Sequence, residues 1–391
     1  MATRAIQTPQ PGRDPTALLP RRPVLRIDLL LLFAAVGLSV CSLVTLGGIS
    51  HSQMVRQGAY LGVGLLIMLV LSRVDYSRLR ELKWGLYVIL LGAVLLVLGI
   101  GRSIGGISTR SISFGVFSFQ GSEFGKVLLI VFLAAFIVDS SRQTTGRELV
   151  ARVMLLALVP AMVVIAEPDL GSGLVYVAIA VGVLYIAGAA WQHLAALAVL
   201  GITAFVVVVV IFPAVGIHAL HTQVGRIEAF LHPSADPNAV GHQQYESTVA
   251  IGSGQKLGRG AAATQTGLGL VSEPSTDFIF AVVGERFGFA GAAFVLSLYA
   301  LIIWRGLRII AAAKNLFGAL VAAGVVAMLL FQVFVNVGVA VGILPVTGLT
   351  LPLMSYGGSS VLTTFLALGL LQSIHAQARV AAAMKGRVLS I

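Results

Sequence analysis

Charge is what this chain has least of. Only 10% of its 391 residues are Asp, Glu, Lys or Arg, against about 25% in soluble domains. Hydrophobic residues make up 58% and mean hydropathy is +0.97. That balance excludes an ordinary soluble domain and places the chain in a bilayer. Acids are scarcer than bases, 15 against 26, for a net charge of +11. In a soluble chain this excess would suggest nucleic acid. Here it is topological, because cytoplasmic loops collect Lys and Arg, and it favours anionic lipid and phosphate groups. The single cysteine, Cys41, can form no intramolecular disulfide. Soluble-enzyme signatures are also missing. "GSGQKLGRG" (252–260) lacks the GxxxxGK[ST] spacing of a phosphate loop. HExxH does not occur. His218 and His221 have no acid or cysteine at ligand spacing, so no metal motif is read there.

What the chain has instead is apolar runs. A helix crosses the hydrocarbon core in about 20 residues, and lipid forces the backbone to bond internally. Runs near 27–48, 57–73, 82–100, 123–139, 151–166, 171–188, 191–213, 278–304, 316–340 and 356–376 predict an all-α, polytopic protein with about ten transmembrane helices. The first run is too long for a signal-peptide core and many spans follow it. Residues 1–26, rich in Pro and Arg, are expected to be a disordered segment before a membrane domain at 27–376, with 377–391 as a tail. An even number of spans puts both termini on one side. Arg73, Arg78, Arg80, Lys83, Arg142, Arg147, Arg152, Arg305, Arg308, Lys314, Arg379, Lys385 and Arg387 all fall on that side, which is therefore expected to be cytoplasmic. The opposite side receives a large extracytoplasmic loop, about 214–277, between spans 7 and 8. No internal repeat is visible.

Further charges gather on the outer side: Arg56, Arg102, Arg110, Glu123, Lys126, Glu167, Asp169, Arg226, Glu228, Asp236, Glu246, Lys256, Arg259, Glu273 and Asp277, with Glu285 and Arg286 inside an apolar run. Ionisable groups at such depth are costly unless paired or facing a cavity. Individually they could be helix-bracing ion pairs; together they favour a polar site. Several cations suit a phosphate-bearing ligand. Asp277 could take a proton from a hydroxyl, or cap the following helix, and strong capping bonds would weaken it as a base. "GILPVTGLTLPLMSYGGSS" (342–360) cannot make a smooth helix. Such a segment is tolerated where it is buried in protein or lines a cavity; its N–H groups and hydroxyls could cradle an anion, or it could be a plain re-entrant turn.

From about 27 to 376 the sequence resembles the SEDS family of bacterial cell-wall polymerases, the RodA, FtsW and SpoVE group. "RSISFGVFSFQGSEFGK" (110–126), "EPDLGSG" (167–173), the stretch 226–260, "SEPSTDFIFAVVGERFGF" (272–289) and "PVTGLTLPLMSYGGSS" (345–360) are similar to five family motifs in order. Departures are Ser111 for Trp, Gly121 and Ser272 for Pro, Glu167 for Gln and Arg286 for a frequent second acid. "DY" at 75–76 and "LY" at 86–87 look more like the RodA branch. The resemblance implies an inverting peptidoglycan glycosyltransferase of cell elongation that polymerises lipid II, with undecaprenyl pyrophosphate leaving. It implies work beside a class B penicillin-binding protein and other elongation-complex membrane proteins in the bacterial inner membrane. Carried over, Asp277 is the general base. Arg56, Arg102, Arg110 and Lys126 are candidates for the pyrophosphate, where a divalent cation, Mg or Mn, is compatible. Glu123 is placed beside Lys126 as a possible i, i+3 brace, and Glu273, Lys256, Ser355 and Ser359 complete the expected substrate-binding set. No metal-ligand set is assigned. A lipid II flippase and an FtsW-like division polymerase are the alternatives, with a noncatalytic scaffold for a transpeptidase as a third. Transporters often show inverted repeats and broken helices, and neither is legible in this sequence.

Overall fold

The computed structural model describes residues 27–103, 112–114, 117–141, 144–167, 169–206, 240–263 and 273–388, with the isolated Gly225 and Phe230. The N-terminal segment 1–26, Arg110, Ser111, Ser272, and His218 and His221 lie outside the described residues. Helices stand at all ten apolar runs: α1 (Leu29–Gly47), α2 (His51–Leu71), α3 (Lys83–Ser103), α4 (Gly121–Ser140), α5 (Gly146–Ala166), α6 (Leu170–Ile186) and α7 (Trp191–Val206), then, after one further helix, α9 (Ile279–Ala312), α10 (Leu316–Ala340) and α11 (Gly358–Val388). Seven of these are long and apolar enough to cross a membrane, and Lys83–Gly99 and Leu170–Ile186 are shorter apolar helices. Two features were not anticipated. The outer loop contains a helix, α8 (Val240–Ser253), and a hairpin of β1 (Ile112–Phe114) against β2 (Phe117–Phe119) precedes α4. The last helix also runs beyond the expected span, through most of the tail.

The helices start where polar side chains can cap them. The Asp28 carboxylate accepts from Leu30 N and Leu31 N, Thr145 from Glu148 N, Asp169 from Ser172 N, and Asn315 from Gly318 N. The centre of the bundle is α4, α10 and α11, buried over 78%, 72% and 83% of their apolar windows, while α2 and α9 are only 22% and 28% buried. Glycines bring backbones together, as packing in lipid requires. A Cβ on Gly64 of α2 would sit 2.2 Å from Phe365 of α11, and one on Gly182 of α6 would sit 2.4 Å from Ala327 of α10.

The two ends of the bundle differ. At one end charges tie elements to each other: Arg80 and Lys83 to Asp139, Arg305 to Asp28, Gln377 Nε2 to Asp75 at 2.9 Å, and Tyr76 OH to Asn315 at 3.2 Å. This is the latch end. The other end, where α1 finishes and α2, α4, α6 and α11 begin, carries the irregular segments.

α9 is not one rod. Its 34 residues would extend about 51 Å, well beyond a hydrocarbon core of about 30 Å, and Gly288 breaks it at φ 61°, ψ −161°. Carbonyls from the loop after α8 take the N–H groups freed there: Phe289 N donates to Gln255 O (2.8 Å) and Ala290 N to Lys256 O (3.1 Å). Arg286 meets Gly48 at the end of α1, and Arg305 meets Asp28 at its start. Gly288 therefore divides α9 into a short helix, 279–287, at the site end, and Phe289–Ala312, which runs on past Arg305 at the start of α1. Glu285 lies within the short helix, ahead of the break.

Candidate active site

The site is organised by the irregular segment 345–357. Its backbone forms no regular helix, only an isolated turn in which Met354 N and Ser355 N donate to Leu351 O (3.1 and 2.9 Å), and it includes Leu353 at φ 63°. Buried side chains on otherwise apolar helices satisfy it. Asn336 on α10 donates to Leu349 O (2.7 Å), Gln57 on α2 donates to Ser355 O (3.0 Å), Ser42 on α1 to Met354 O (2.8 Å), and Tyr299 on α9 to Pro352 O (2.5 Å). Buried polar backbone is tolerated only when so paired. None of these four residues was singled out in the sequence. The signal was present as lone amides and hydroxyls inside apolar runs.

The turn carrying Asp277 is stitched onto this platform. Asn336 Nδ2 also donates to Asp277 O (2.9 Å), Ser355 Oγ to Thr276 O (2.6 Å), and Tyr356 N to Ser275 O (2.7 Å). Asp277 is half-buried. The residue capping α9 is Phe278, so Asp277 stands one residue outside the helix. Glu273, exposed at φ 47°, opens the turn and accepts from Thr276 N at 3.2 Å.

The starts of α4 and α6 adjoin the platform: a Cβ on Gly171 would sit 2.6 Å from Leu349, and Gln120 N donates to Ser359 Oγ at 3.1 Å. Glu123 and Lys126 form an ion pair of 2.5 Å, with side chains 5% and 0% exposed. The i, i+3 brace expected from sequence is thus present, and Lys126 is wholly enclosed. Asp169 accepts from Gln120 Nε2 (3.2 Å), Ser122 Oγ (3.4 Å) and Ser172 N (3.1 Å). Glu167 is fully buried, and neither carboxylate oxygen has a hydrogen-bond partner among the described residues. Burial first, then the nearby Asp169 carboxylate, pushes its pKa up to about 8.

The structure therefore gathers Asp277, Ser355 and Ser359 at the platform, while the Glu123–Lys126 pair is buried at the start of α4. The two serines are 1% and 4% exposed. Ser355 Oγ accepts from Leu351 N (2.8 Å), while Ser359 Oγ donates to Ser118 O (2.6 Å) and accepts from Gln120 N (3.1 Å). Both hydroxyls hold segments together. Arg56 is exposed one turn from Tyr60, whose ring lies 6.5 Å from that of Tyr356, so it stands at the rim. Lys256 is exposed and contributes its carbonyl to the α9 break. Arg102 is on α3. Among the described residues no group of three or more His, Cys, Asp or Glu could hold a metal ion.

Residues 20–380 match the family model FTSW_RODA_SPOVE, described as "Cell cycle protein". The chain belongs to this family. It is similar to Stage V sporulation protein E of Bacillus subtilis, 35% identical over 83% of this chain and 87% of that one. It is equally similar to the peptidoglycan glycosyltransferase MrdB of Escherichia coli, 35% identical over 93% of both. Among solved structures it resembles the rod shape determining protein RodA of Thermus thermophilus, with TM-score 0.65 and 30% identity over 90% of this chain and 97% of that one. It also resembles a chain in a peptidoglycan synthase complex that coordinates polymerization and crosslinking, with TM-score 0.76 and 32% identity over 90% of this chain and 99% of that one.

Proposed function

We propose that this family member is a peptidoglycan glycosyltransferase that polymerises lipid II, with Asp277 as general base. The observation that carries the assignment is the fixing of Asp277: its backbone is held by Asn336 at the foot of a short helix, at the edge of the platform. Asp277 takes the proton of the acceptor sugar's 4-hydroxyl, to which it must come within about 3 Å. The oxygen bonds to the donor's anomeric carbon as the bond from that carbon to undecaprenyl pyrophosphate breaks, and the configuration inverts. Arg56 at the rim, with Arg102 and Arg110, would stabilise charge on the departing pyrophosphate.

The protein is multi-pass; that both termini face the cytoplasm is our reading, supported by the basic residues of the latch end. A class B penicillin-binding protein is the proposed partner, supported by the likeness to a chain of a synthase complex. An elongation role rests on the likeness to MrdB and RodA, although FtsW relatives match at similar identity. One observation favours a flippase instead: broken helices line transport sites, and α9 is broken at Gly288. Synthesis of glycan strands from lipid II in detergent, where nothing needs crossing, separates the two. Wild type should polymerise and Asp277→Asn should lose activity by at least two orders of magnitude while keeping its thermal midpoint. An inactive wild type overturns the polymerase reading, and a fully active Asp277→Asn overturns the base.

A further inference from the structure

A polar cavity lies at the latch end, away from the platform. It measures about 460 Å³ and is lined by Arg80, Glu81 and Lys83 at the entry to α3, by Asp139 of α4, and by Asn315 and Phe317 at the start of α10. Its charges do not close on themselves. Arg80 Nε and Nη2 donate to Asp139 Oδ1 (3.0 and 2.5 Å), and Lys83 Nζ donates to Oδ2. Both oxygens of Asp139 are thereby engaged, while a guanidinium and an ammonium together carry more N–H donors than these bonds use. Two cations on one carboxylate leave one positive charge in excess. The other lining acid, Glu81, is exposed. Apolar side chains flank these groups. Leu82, between Glu81 and Lys83, is 59% exposed, and Leu316, between Asn315 and Phe317, is 47% exposed. Trp84 is 53% exposed although its ring packs on Phe132 of α4 at 5.4 Å. A tryptophan at the start of an apolar helix marks the level of the membrane interface.

We infer that this cavity binds the headgroup of a zwitterionic aminophospholipid, of the phosphatidylethanolamine type, with its phosphate on Arg80 and Lys83 and its ammonium at Glu81. The excess positive charge takes the phosphate through charge-assisted bonds, and the exposed carboxylate takes the amine. The occupant is a lipid rather than a soluble phosphate ester because the lining residues alternate with exposed leucines at the level of Trp84, where acyl chains begin. The site stands at the opposite end of the bundle from Asp277, so it does not depend on the polymerase assignment.

The test is native mass spectrometry of the full-length protein, titrated with phosphatidylethanolamine, phosphatidylglycerol and diacylglycerol of the same chains. Wild type should retain phosphatidylethanolamine about fivefold better than phosphatidylglycerol, the equivalent of about 1 kcal/mol for one charge at the membrane surface, and diacylglycerol least. Glu81→Gln removes an exposed acid and should abolish or invert the preference between the two phospholipids. Lys83→Gln, in which Arg80 still holds Asp139, should bring both phospholipids closer to diacylglycerol while the protein stays folded in a melting assay. Equal retention of all three lipids, a wild-type preference for phosphatidylglycerol, or an order unchanged by Glu81→Gln overturns the proposal. Soluble glycerophosphoethanolamine competing as well as the lipid at equal concentration would assign the cavity to a free phosphate ester and overturn it too.

Discussion

At the scale of single residues the buried charges are the most exacting feature of the site. Lys126 is 0% exposed and its compensation among the described residues is Glu123. Removing one member of a buried pair strands the other and costs about 3–5 kcal/mol, whereas replacing both by apolar groups is often neutral. Glu123→Leu should therefore lower the thermal midpoint sharply in detergent, and Glu123→Leu with Lys126→Leu should recover most of the loss. If the double variant is as unstable as the single, the pair does more than neutralise itself. Glu167 gives a pH signature. Its folded pKa is raised from 4.5 to about 8, so the native state holds a proton that the unfolded chain has released between those values. Stability must then fall as pH rises across that window. Glu167→Gln should flatten the fall and melt higher than wild type at pH 8; an unchanged pH profile of melting would show that Glu167 is not the group responsible.

The element scale separates what the sequence shows from what it conceals. The ten helices were legible because lipid leaves an apolar run of that length no alternative to helix. Asp277 was legible because the polar-to-apolar switch marks where its turn meets α9. The break in α9 was not, because its stability comes from a remote loop: Gln255 and Lys256 offer carbonyls to Phe289 and Ala290 across more than thirty residues of chain. α8 was hidden for a related reason. Its first turns are polar, held by Gln244 donating to Leu344 O (2.6 Å) and Ser247 to Ala340 O (2.8 Å), and only its end, Ala250 and Ile251, packs on the core. The Gly288 angles belong to a region essentially restricted to glycine, with strain of about 1–3 kcal/mol for other residues. A Cβ there would also meet Gly258 N at 2.4 Å. Gly288→Ala should thus destabilise the protein by at least that amount. Because 279–287 positions Asp277, it should also reduce polymerisation when assayed below its melting temperature. Full activity in a folded Gly288→Ala protein would mean the break is not needed to place the base.

For the whole molecule the question is whether the two ends communicate. The latch end is closed by Asp28, whose backbone exchanges bonds with Gln372 (2.8 and 3.0 Å) and whose carboxylate both caps α1 and accepts from Arg305 Nε at 2.8 Å. One residue thereby ties α1, α9 and α11. Asp28→Ala loses the cap, worth about 0.5–2 kcal/mol, and the ion pair besides. Asp28→Asn keeps a capping oxygen and should cost less. From there to Ser42, where α1 meets the platform, is about 21 Å along the helix, and sites so far apart add in stability to within about 0.5 kcal/mol. Asp28→Ala and Gly288→Ala should therefore sum in unfolding free energy, and only Gly288→Ala should slow polymerisation. A polymerase works at one face and has no use for opening the other. An alternating-access flippase must open both, so loosening the latch would change its flux. If Asp28→Ala alters turnover as strongly as Gly288→Ala, the rigid-bundle account fails and the broken helix has to be understood as a moving part.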